Sequence, residues 1–148
     1  MRWTRHFLIV LTLLSLGCAR GDWTTETLTL VDVTGAWEGP VRWPRSPTLG
    51  ERTIMFVLQQ KGQKVRGEAQ AADGRRFGTV EGLVNGEAFS WQLTGSLMPG
   101  RDSSETTYHG VFVISGDEFS GRADGPLCPC TFLLRRVSPQ AIGEKKAQ

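Results

Sequence analysis

The chain has 148 residues, of which 39% are hydrophobic and 22% are charged, and this composition fits one globular domain. It contains 17 Lys and Arg residues against 15 Asp and Glu residues, and two of the basic residues, Arg2 and Arg5, stand at its very start. The rest of the chain is therefore formally neutral. A neutral chain does not present the basic face that binds nucleic-acid phosphates, so we expect no nucleic-acid partner.

Residues 1–17 have the parts of a signal peptide. Arg2 and Arg5 precede an uncharged, mostly apolar run of ten residues at 7–16, and the small residue Gly17 follows it. This order is typical of a segment that directs export and is then removed. The run is shorter than the roughly 20 apolar residues that an ordinary membrane-spanning helix needs. We therefore predict a signal peptide over residues 1–17 and an exported chain.

Cys18 comes directly after this segment, and residues 14–18 (LSLGC) resemble the lipobox of bacterial lipoproteins. In that family a peptidase cuts just before the cysteine, which carries the lipid. The commonest pattern has Leu three residues before the cysteine, where this chain has Ser15. The resemblance implies a lipid on Cys18, a tether over residues 18–33, and a protein held at a membrane of the bacterial cell envelope, facing the periplasm or at the cell surface. The alternative is an ordinary signal peptide followed by an incidental cysteine.

From residue 34 onward, turn signals recur between short runs rich in Val, Phe, Thr and Trp, many of which alternate apolar with polar residues. This pattern is typical of an all-β domain. The clearest turn is Asn85-Gly86, because a type I′ hairpin turn needs positive φ at both central residues. We predict a domain over residues 34–138, a polar tail over 139–148, and eight strands within the domain, at 35–43, 52–60, 64–70, 76–84, 88–94, 106–114, 118–123 and 131–137.

Short loops between consecutive strands favour an up-and-down meander. Glycines inside the predicted strands weaken a flat sheet but suit strands that bend sharply, as in a small closed barrel; they are Gly67, Gly78, Gly110 and Gly121. Closing eight strands also removes the exposed edges. The predicted fold is an eight-stranded antiparallel up-and-down β-barrel, and a two-sheet β-sandwich of the same strands is the alternative.

Alternation along the strands predicts which aromatic residues point inward. Phe89 and Trp91 share one face of their strand, and Tyr108 and Phe112 share one face of the next. An eight-stranded barrel is just wide enough to be filled by side chains or to hold one small ligand. These four residues are therefore candidates for lining a cavity for a small apolar ligand, and the alternative is that they fill the core. Strand 76–84 leaves open whether Phe77 with Thr79, or Val80, faces inward.

Gly35-Ala36-Trp37 resembles the Gly-x-Trp start of the first strand in lipocalins and related calycins. In that family a basic side chain near the end of the last strand packs across the Trp and closes the barrel. The resemblance implies that Trp37 is covered by Arg135 or Arg136, with a cation–π attraction of roughly 0.5–2 kcal/mol. The middle motif of the family, Thr-Asp-Tyr, is absent from this chain.

Cys128-Pro129-Cys130 is an unusual element for an exported chain. Two thiols this close in an oxidising compartment favour a disulfide, provided that the chain bends locally. A readily reduced bridge that exchanges thiols, or a metal site, are the other interpretations. Structural zinc takes four ligands, and two thiolates supply only half of them, so we expect no metal.

The chain has no Gly-x-Ser-x-Gly and no His-Glu-x-x-His motif, and sequence order offers no partner for His109. We therefore expect a protein without enzymatic activity and without a cofactor. Two functions remain open. The first is a lipid-anchored envelope protein that binds a small apolar ligand in a lipocalin-like barrel. The second is a structural or protein-interaction lipoprotein, for example an inhibitor of an envelope enzyme. The second predicts a filled barrel and an exposed apolar patch, around residues 97–105 or at Trp43 and Pro44.

Overall fold

The computed structural model of the chain describes residues 30–97 and 106–138, and it consists almost entirely of β-strands. A short 3-10 helix, Pro47–Leu49, lies between the first two strands. The eight strands are β1 Gly35–Arg42, β2 Glu51–Lys61, β3 Lys64–Ala71, β4 Arg76–Asn85, β5 Ala88–Gly95, β6 Thr107–Ser115, β7 Glu118–Asp124 and β8 Cys130–Val137.

Each strand pairs antiparallel with the next along the chain, and β8 pairs back onto β1, so the sheet closes into a barrel. The predicted fold class, an up-and-down barrel of lipocalin-like architecture, is confirmed, and the two-sheet sandwich does not form. The observed strand ends lie within one residue of the predicted ends. The predicted leader, tether start and polar tail lie outside the described residues and stay predictions. No helix within the described ranges is long and apolar enough to cross a membrane.

Three hairpins at one end of the barrel, β2–β3, β4–β5 and β6–β7, have two-residue loops of the same type. In each loop the first central residue is a glycine with positive φ: 61° at Gly62, 58° at Gly86 and 58° at Gly116. Gly at the first central position is typical of type II′ turns, whose twist matches that of the flanking strands. The hairpin predicted at Asn85-Gly86 is present, but its central residues are Gly86 and Glu87, because Asn85 pairs with Ala88 as the last residue of β4. The expectation of positive φ at Asn85 was therefore wrong.

The alternation of buried and exposed residues holds along most strands. It is complete in β5, where Phe89, Trp91 and Leu93 point inward. In β4, Val80 points inward and is fully buried, whereas Thr79 is exposed. An irregularity between Ala69 and Gln70 of β3 shifts the pairing register at the start of β4, and Phe77 there is only half-buried.

Two residues expected at an exposed patch are buried instead. Trp43 is only 3% exposed and Leu97 only 4% exposed. Trp43 follows β1 directly, and the alternation of side chains along the strand puts it on the same inward face as Trp37 and Val41. The predicted patch at Trp43 and Pro44 was therefore wrong for the tryptophan, although Pro44 is exposed. Residues 98–105 lie outside the described part of the chain.

Candidate functional site

One end of the barrel is closed by Arg136 and Trp37. The guanidinium carbon of Arg136 lies 4.3 Å from the centroid of the Trp37 ring. Its Nη1 and Nη2 donate hydrogen bonds to the carbonyl oxygens of Thr34 (2.6 Å) and Asp32 (2.7 Å). The indole N–H of Trp37 donates to the carbonyl of Val33 at 2.9 Å. Strand β1 and the segment before it are thus fastened to the end of β8.

Arg135 does not take part in this closure. It points outward, and its Nε lies 3.5 Å from a carboxylate oxygen of Glu118. Its side chain is 75% exposed, whereas that of Arg136 is 30% exposed. Of the two arginines that the lipocalin resemblance offered, the structure therefore places Arg136 on the tryptophan.

Asp32 is the described residue whose ionisation the fold clearly shifts. Its carboxylate accepts a hydrogen bond from the backbone N–H of Thr34 at 2.8 Å. Hydrogen bonds from the backbone and side chain of Thr34 lower the pKa of Asp32 below its ordinary value of 3.8, and the nearby charge of Arg136 lowers it further. The ionised form of Asp32 thus belongs to the arrangement that closes the barrel.

A column of aromatic rings runs through the barrel from this closed end. Trp37 stacks on Phe119, with ring centroids 3.5 Å apart and planes 13° from parallel. Phe119 stacks on Phe112 at 5.4 Å and 23°, and Phe112 packs on Trp91 at 5.0 Å and 35°. The column thus has four rings, contributed by β1, β7, β6 and β5, and Arg136 of β8 covers its first ring, Trp37.

Further rings pack around the sides of this column. Phe56 and Phe132 meet Trp91 edge to face, at centroid distances of 5.5 Å and 5.4 Å. Phe89 lies about equally far from two members of the column, 6.0 Å from Phe112 and 5.9 Å from Phe119. Offset and edge-on arrangements at such distances are the favourable geometries for aromatic pairs. The interior of the barrel is thus occupied by rings in mutual contact.

The four candidate ligand-lining residues all point inward and are at most 3% exposed. Phe89, Trp91 and Phe112 belong to the ring cluster just described. Tyr108 lies farther along the barrel, where a Cβ on Gly125 would overlap its ring. The structure thus brings three of the four residues together, and it packs them against one another.

Glycines on the inner wall make room for the rings. Gly110 pairs in register with Trp91, and a Cβ at Gly110 would overlap the Cζ2 and Cε2 atoms of the Trp91 indole. Gly82, the neighbour of Trp91 on the other side, faces the backbone of Ser90 and the ring of Phe89 in the same way. A wall of glycine opposite large rings is how this narrow barrel accommodates its core.

Two buried polar groups remain without a partner inside this core. Within residues 30–97 and 106–138, the indole N–H groups of Trp43 and Trp91 donate to no hydrogen-bond acceptor, although both side chains are only 3% exposed. An unsatisfied buried donor costs about 1–3 kcal/mol. These two donors are the polar groups of the interior that an acceptor on a ligand could bind.

The opposite end of the barrel carries the Cys128–Cys130 pair. The two cysteines form a disulfide whose Cα atoms lie 4.6 Å apart, and Cys130 is completely buried. Cys128 packs half-buried beside a cleft of about 350 Å³ between the β1–β2 and β7–β8 loops, which Arg45 and Leu127 also line. Among the described residues, no three His, Cys, Asp or Glu side chains gather as metal ligands would.

The outer wall of the barrel carries four large apolar side chains that are well exposed. They are Leu83 (53%), Val111 (49%), Val113 (55%) and Leu133 (39%). These exposed apolar residues were not predicted from the sequence. A signal for them is present in the sequence, because Val111-Phe112-Val113-Ile114 is apolar at four consecutive positions, and alternation must then place apolar residues on both faces.

Leu83 also lines an outer groove of about 430 Å³ that runs over β3, β4, β5 and β6. Polar side chains form the rest of its outward lining: Lys64, Arg66, Glu81, Ser90, Gln92 and His109. Gln92 pairs in register with His109, and Arg66 lies 3.4 Å from Glu81. The groove therefore combines an apolar side chain with charges of both signs.

Comparison with known proteins adds little to this picture. No family model matches the chain, and no curated protein matches it. Among solved structures, the crystal structure of fatty-acid-binding protein 1 from Echinococcus granulosus is similar, with a TM-score of 0.43 and 11% sequence identity, over 72% of this chain and 98% of that one. Cys18, the candidate lipid site, lies outside the described residues.

Proposed function

We propose that this chain is an exported, lipid-anchored protein of the bacterial cell envelope, without enzymatic activity, that binds a partner protein through the outer wall of its barrel. The signal-like segment at 1–17 and the lipobox-like residues 14–18 support the export and the anchor. An exported and anchored protein would meet other envelope components as its partners.

The occupied interior is the observation that carries this proposal. The column from Trp37 through Phe119 and Phe112 to Trp91 takes up the space in which a barrel of eight strands would hold a ligand. At the same time four large apolar side chains face outward, and two of them, Val111 and Val113, lie next to each other on the outer face of β6. Grouped apolar side chains on a surface are typical of interaction sites. A barrel whose interior is filled by packed rings and whose outer wall carries exposed apolar side chains is best suited to bind a partner through that outer wall.

A small apolar ligand inside the barrel is the second candidate function. The unpaired indole N–H groups of Trp43 and Trp91 favour it, because an acceptor group on a ligand would satisfy them. Such a ligand must displace some of the packed rings. The closed barrel gives this candidate its architecture, and three of the candidate lining residues, Phe89, Trp91 and Phe112, pack against one another inside it.

Two measurements on the full chain produced in a bacterial host test these functions against each other. A photo-cross-linking residue is placed at Val113 on the apolar side and, as a control, at the exposed Thr53 of β2. We expect a discrete protein adduct from Val113 in living cells and none from Thr53. Absence of an adduct from Val113 and from other outward positions would overturn the proposal. Native mass spectrometry of the purified protein then tests whether the barrel holds a small apolar ligand, because a bound apolar molecule adds a mass that disappears on denaturation.

A further inference from the structure

We propose that the partner binds on the outer wall of the barrel over β3–β7, across the outer groove, and that it presents an apolar side chain between two acidic groups. This inference rests on the proposed function, because it names the surface and the chemistry of that same partner. It is carried by a single row of outward residues, Lys64, Leu83, Ser90, Val111 and Arg122, which we call the cation-ended row.

The pairing register puts these five residues side by side. Lys64 pairs with Leu83, Leu83 with Ser90, Ser90 with Val111, and Val111 with Arg122. They lie on five consecutive strands, β3 to β7. Neighbouring strands are about 4.8 Å apart, so the row is about 19 Å long. An extended segment of about six residues has the same length.

The middle of the row can receive an apolar side chain of a partner. The small side chain of Ser90 lies between the larger Leu83 and Val111, which are 53% and 49% exposed. Ser90 and Leu83 both line the groove of about 430 Å³. A large apolar side chain of a partner can therefore enter above Ser90 and contact Leu83 and Val111 on its two sides, as the core of a typical protein interface does.

Charge decides which partner fits. Three of the exposed arginines, Arg42, Arg76 and Arg135, each form an ion pair with a carboxylate of the barrel, those of Glu51, Glu68 and Glu118. Neither Lys64 nor Arg122 makes an ion pair with any residue of 30–97 or 106–138, although both are exposed.

The two ends of the cation-ended row therefore carry positive charges that no carboxylate of the described residues pairs with. Lys61, which pairs in register with Lys64, adds a further positive charge at the β3 end. Two carboxylates of the barrel lie one row away. Glu81 is paired with Arg66, and Asp124 lies opposite His109. A binding segment with carboxylates on both sides of its apolar residue is complementary to this row in charge.

The cross-linked adduct at Val113 provides the first test. We expect charge reversal at both ends, Lys64→Glu with Arg122→Glu, to lower the adduct yield about tenfold, and Leu83→Glu to do the same. The matched controls are Arg52→Glu, a charge reversal on β2, and Thr53→Glu, which introduces a charge at another exposed position of β2. Both controls should leave the yield unchanged. Ser90→Gln fills the space above Ser90, between Leu83 and Val111, with a neutral side chain. It should also lower the adduct yield, and this effect does not depend on a change of charge.

The second test uses a random octapeptide library displayed against the purified protein. We expect enrichment of peptides with Asp or Glu on both sides of Leu, Ile or Phe, and loss of that enrichment on the Leu83→Glu protein. Enriched peptides without acidic residues, no enrichment at all, or an adduct that persists in all groove variants would overturn the inference. A persistent adduct would leave the proposed function intact and move the interface to another face. Absence of any adduct from the Val113 cross-linking chain without groove substitutions would overturn both the proposed function and this inference.

Discussion

The guanidinium of Arg136 lies 4.3 Å above the ring of Trp37, and the same group donates hydrogen bonds to two carbonyl oxygens of the segment before β1. One side chain near the end of the last strand thus covers the first member of the aromatic column and fastens the chain that enters the barrel. Closure at this end depends on a contact between residues 99 positions apart in the sequence.

Replacing Arg136 by Ala should therefore destabilise the barrel by about 2 kcal/mol, from the lost cation–π contact and the lost charged hydrogen bonds. Arg136→Lys should lose about half as much, because it keeps the charge but not the planar fork. Urea unfolding followed by tryptophan fluorescence measures both. Arg135→Ala is the control, and it should change the free energy of unfolding by less than about 0.5 kcal/mol because exposed ion pairs contribute little. Equal losses at 135 and 136 would contradict this account.

The contact between Gly110 and Trp91 supports a second prediction. A Cβ at position 110 overlaps the indole ring, so Gly110→Ala should destabilise the protein by about 1–3 kcal/mol through overpacking. Trp91→Phe removes the overlapping atoms and creates a cavity of its own. The double variant should be more stable than the sum of the two losses implies, by about 0.5–3 kcal/mol. Additive losses would show that the ring does not lie over Gly110. Ser90→Ala, on the outside of β5, is the neutral control.

These contacts also show what the sequence reveals and what it does not. Strand ends were predictable because alternation and turn glycines such as Gly86 are local signals. The same alternation, applied from Phe132 and Leu134 onward, selects Arg136 over Arg135 as the inward arginine, although the lipocalin resemblance alone leaves both open. The stack of Trp37 on Phe119 was not predictable, because it joins β1 to β7 across the closed barrel. The cation-ended row depends in the same way on the register of five strands.

The ionisation of Asp32 gives a prediction about pH. Its pKa is lower in the folded protein than the ordinary 3.8, chiefly through hydrogen bonds from Thr34. A lowered carboxyl pKa adds stability that is complete above the unfolded pKa and is lost as the pH falls through the folded pKa. Asp32→Asn should therefore be less stable than the unmodified protein at neutral pH, and the difference should shrink below about pH 4. Urea midpoints measured from pH 3 to pH 7 test this, and a difference that grows on acidification would contradict it.

The Cys128–Cys130 bridge should contribute only modestly to stability. It closes a loop of three residues, for which the chain-entropy account gives roughly 1–2 kcal/mol. The variant Cys128→Ala with Cys130→Ala should lose that amount, and reductant should lower the urea midpoint of the unmodified protein without affecting the variant. A midpoint of the unmodified protein that does not respond to reductant under unfolding conditions would show that no bridge contributes.

Cys18 supports the last prediction, which concerns the anchor. If residues 14–18 act as a lipobox, the mature chain begins at Cys18 and carries acyl chains, each buried CH₂ of which contributes about 0.8 kcal/mol to membrane binding. Cys18→Ser should then move the protein from the membrane fraction to the soluble fraction and abolish labelling by a radioactive fatty acid. The paired Cys128→Ala and Cys130→Ala variant should remain labelled, because its Cys18 is intact. An unmodified chain that is cleaved and exported but carries no acyl mass would leave the barrel free in its compartment, and its outer groove would then reach partners beyond the membrane surface.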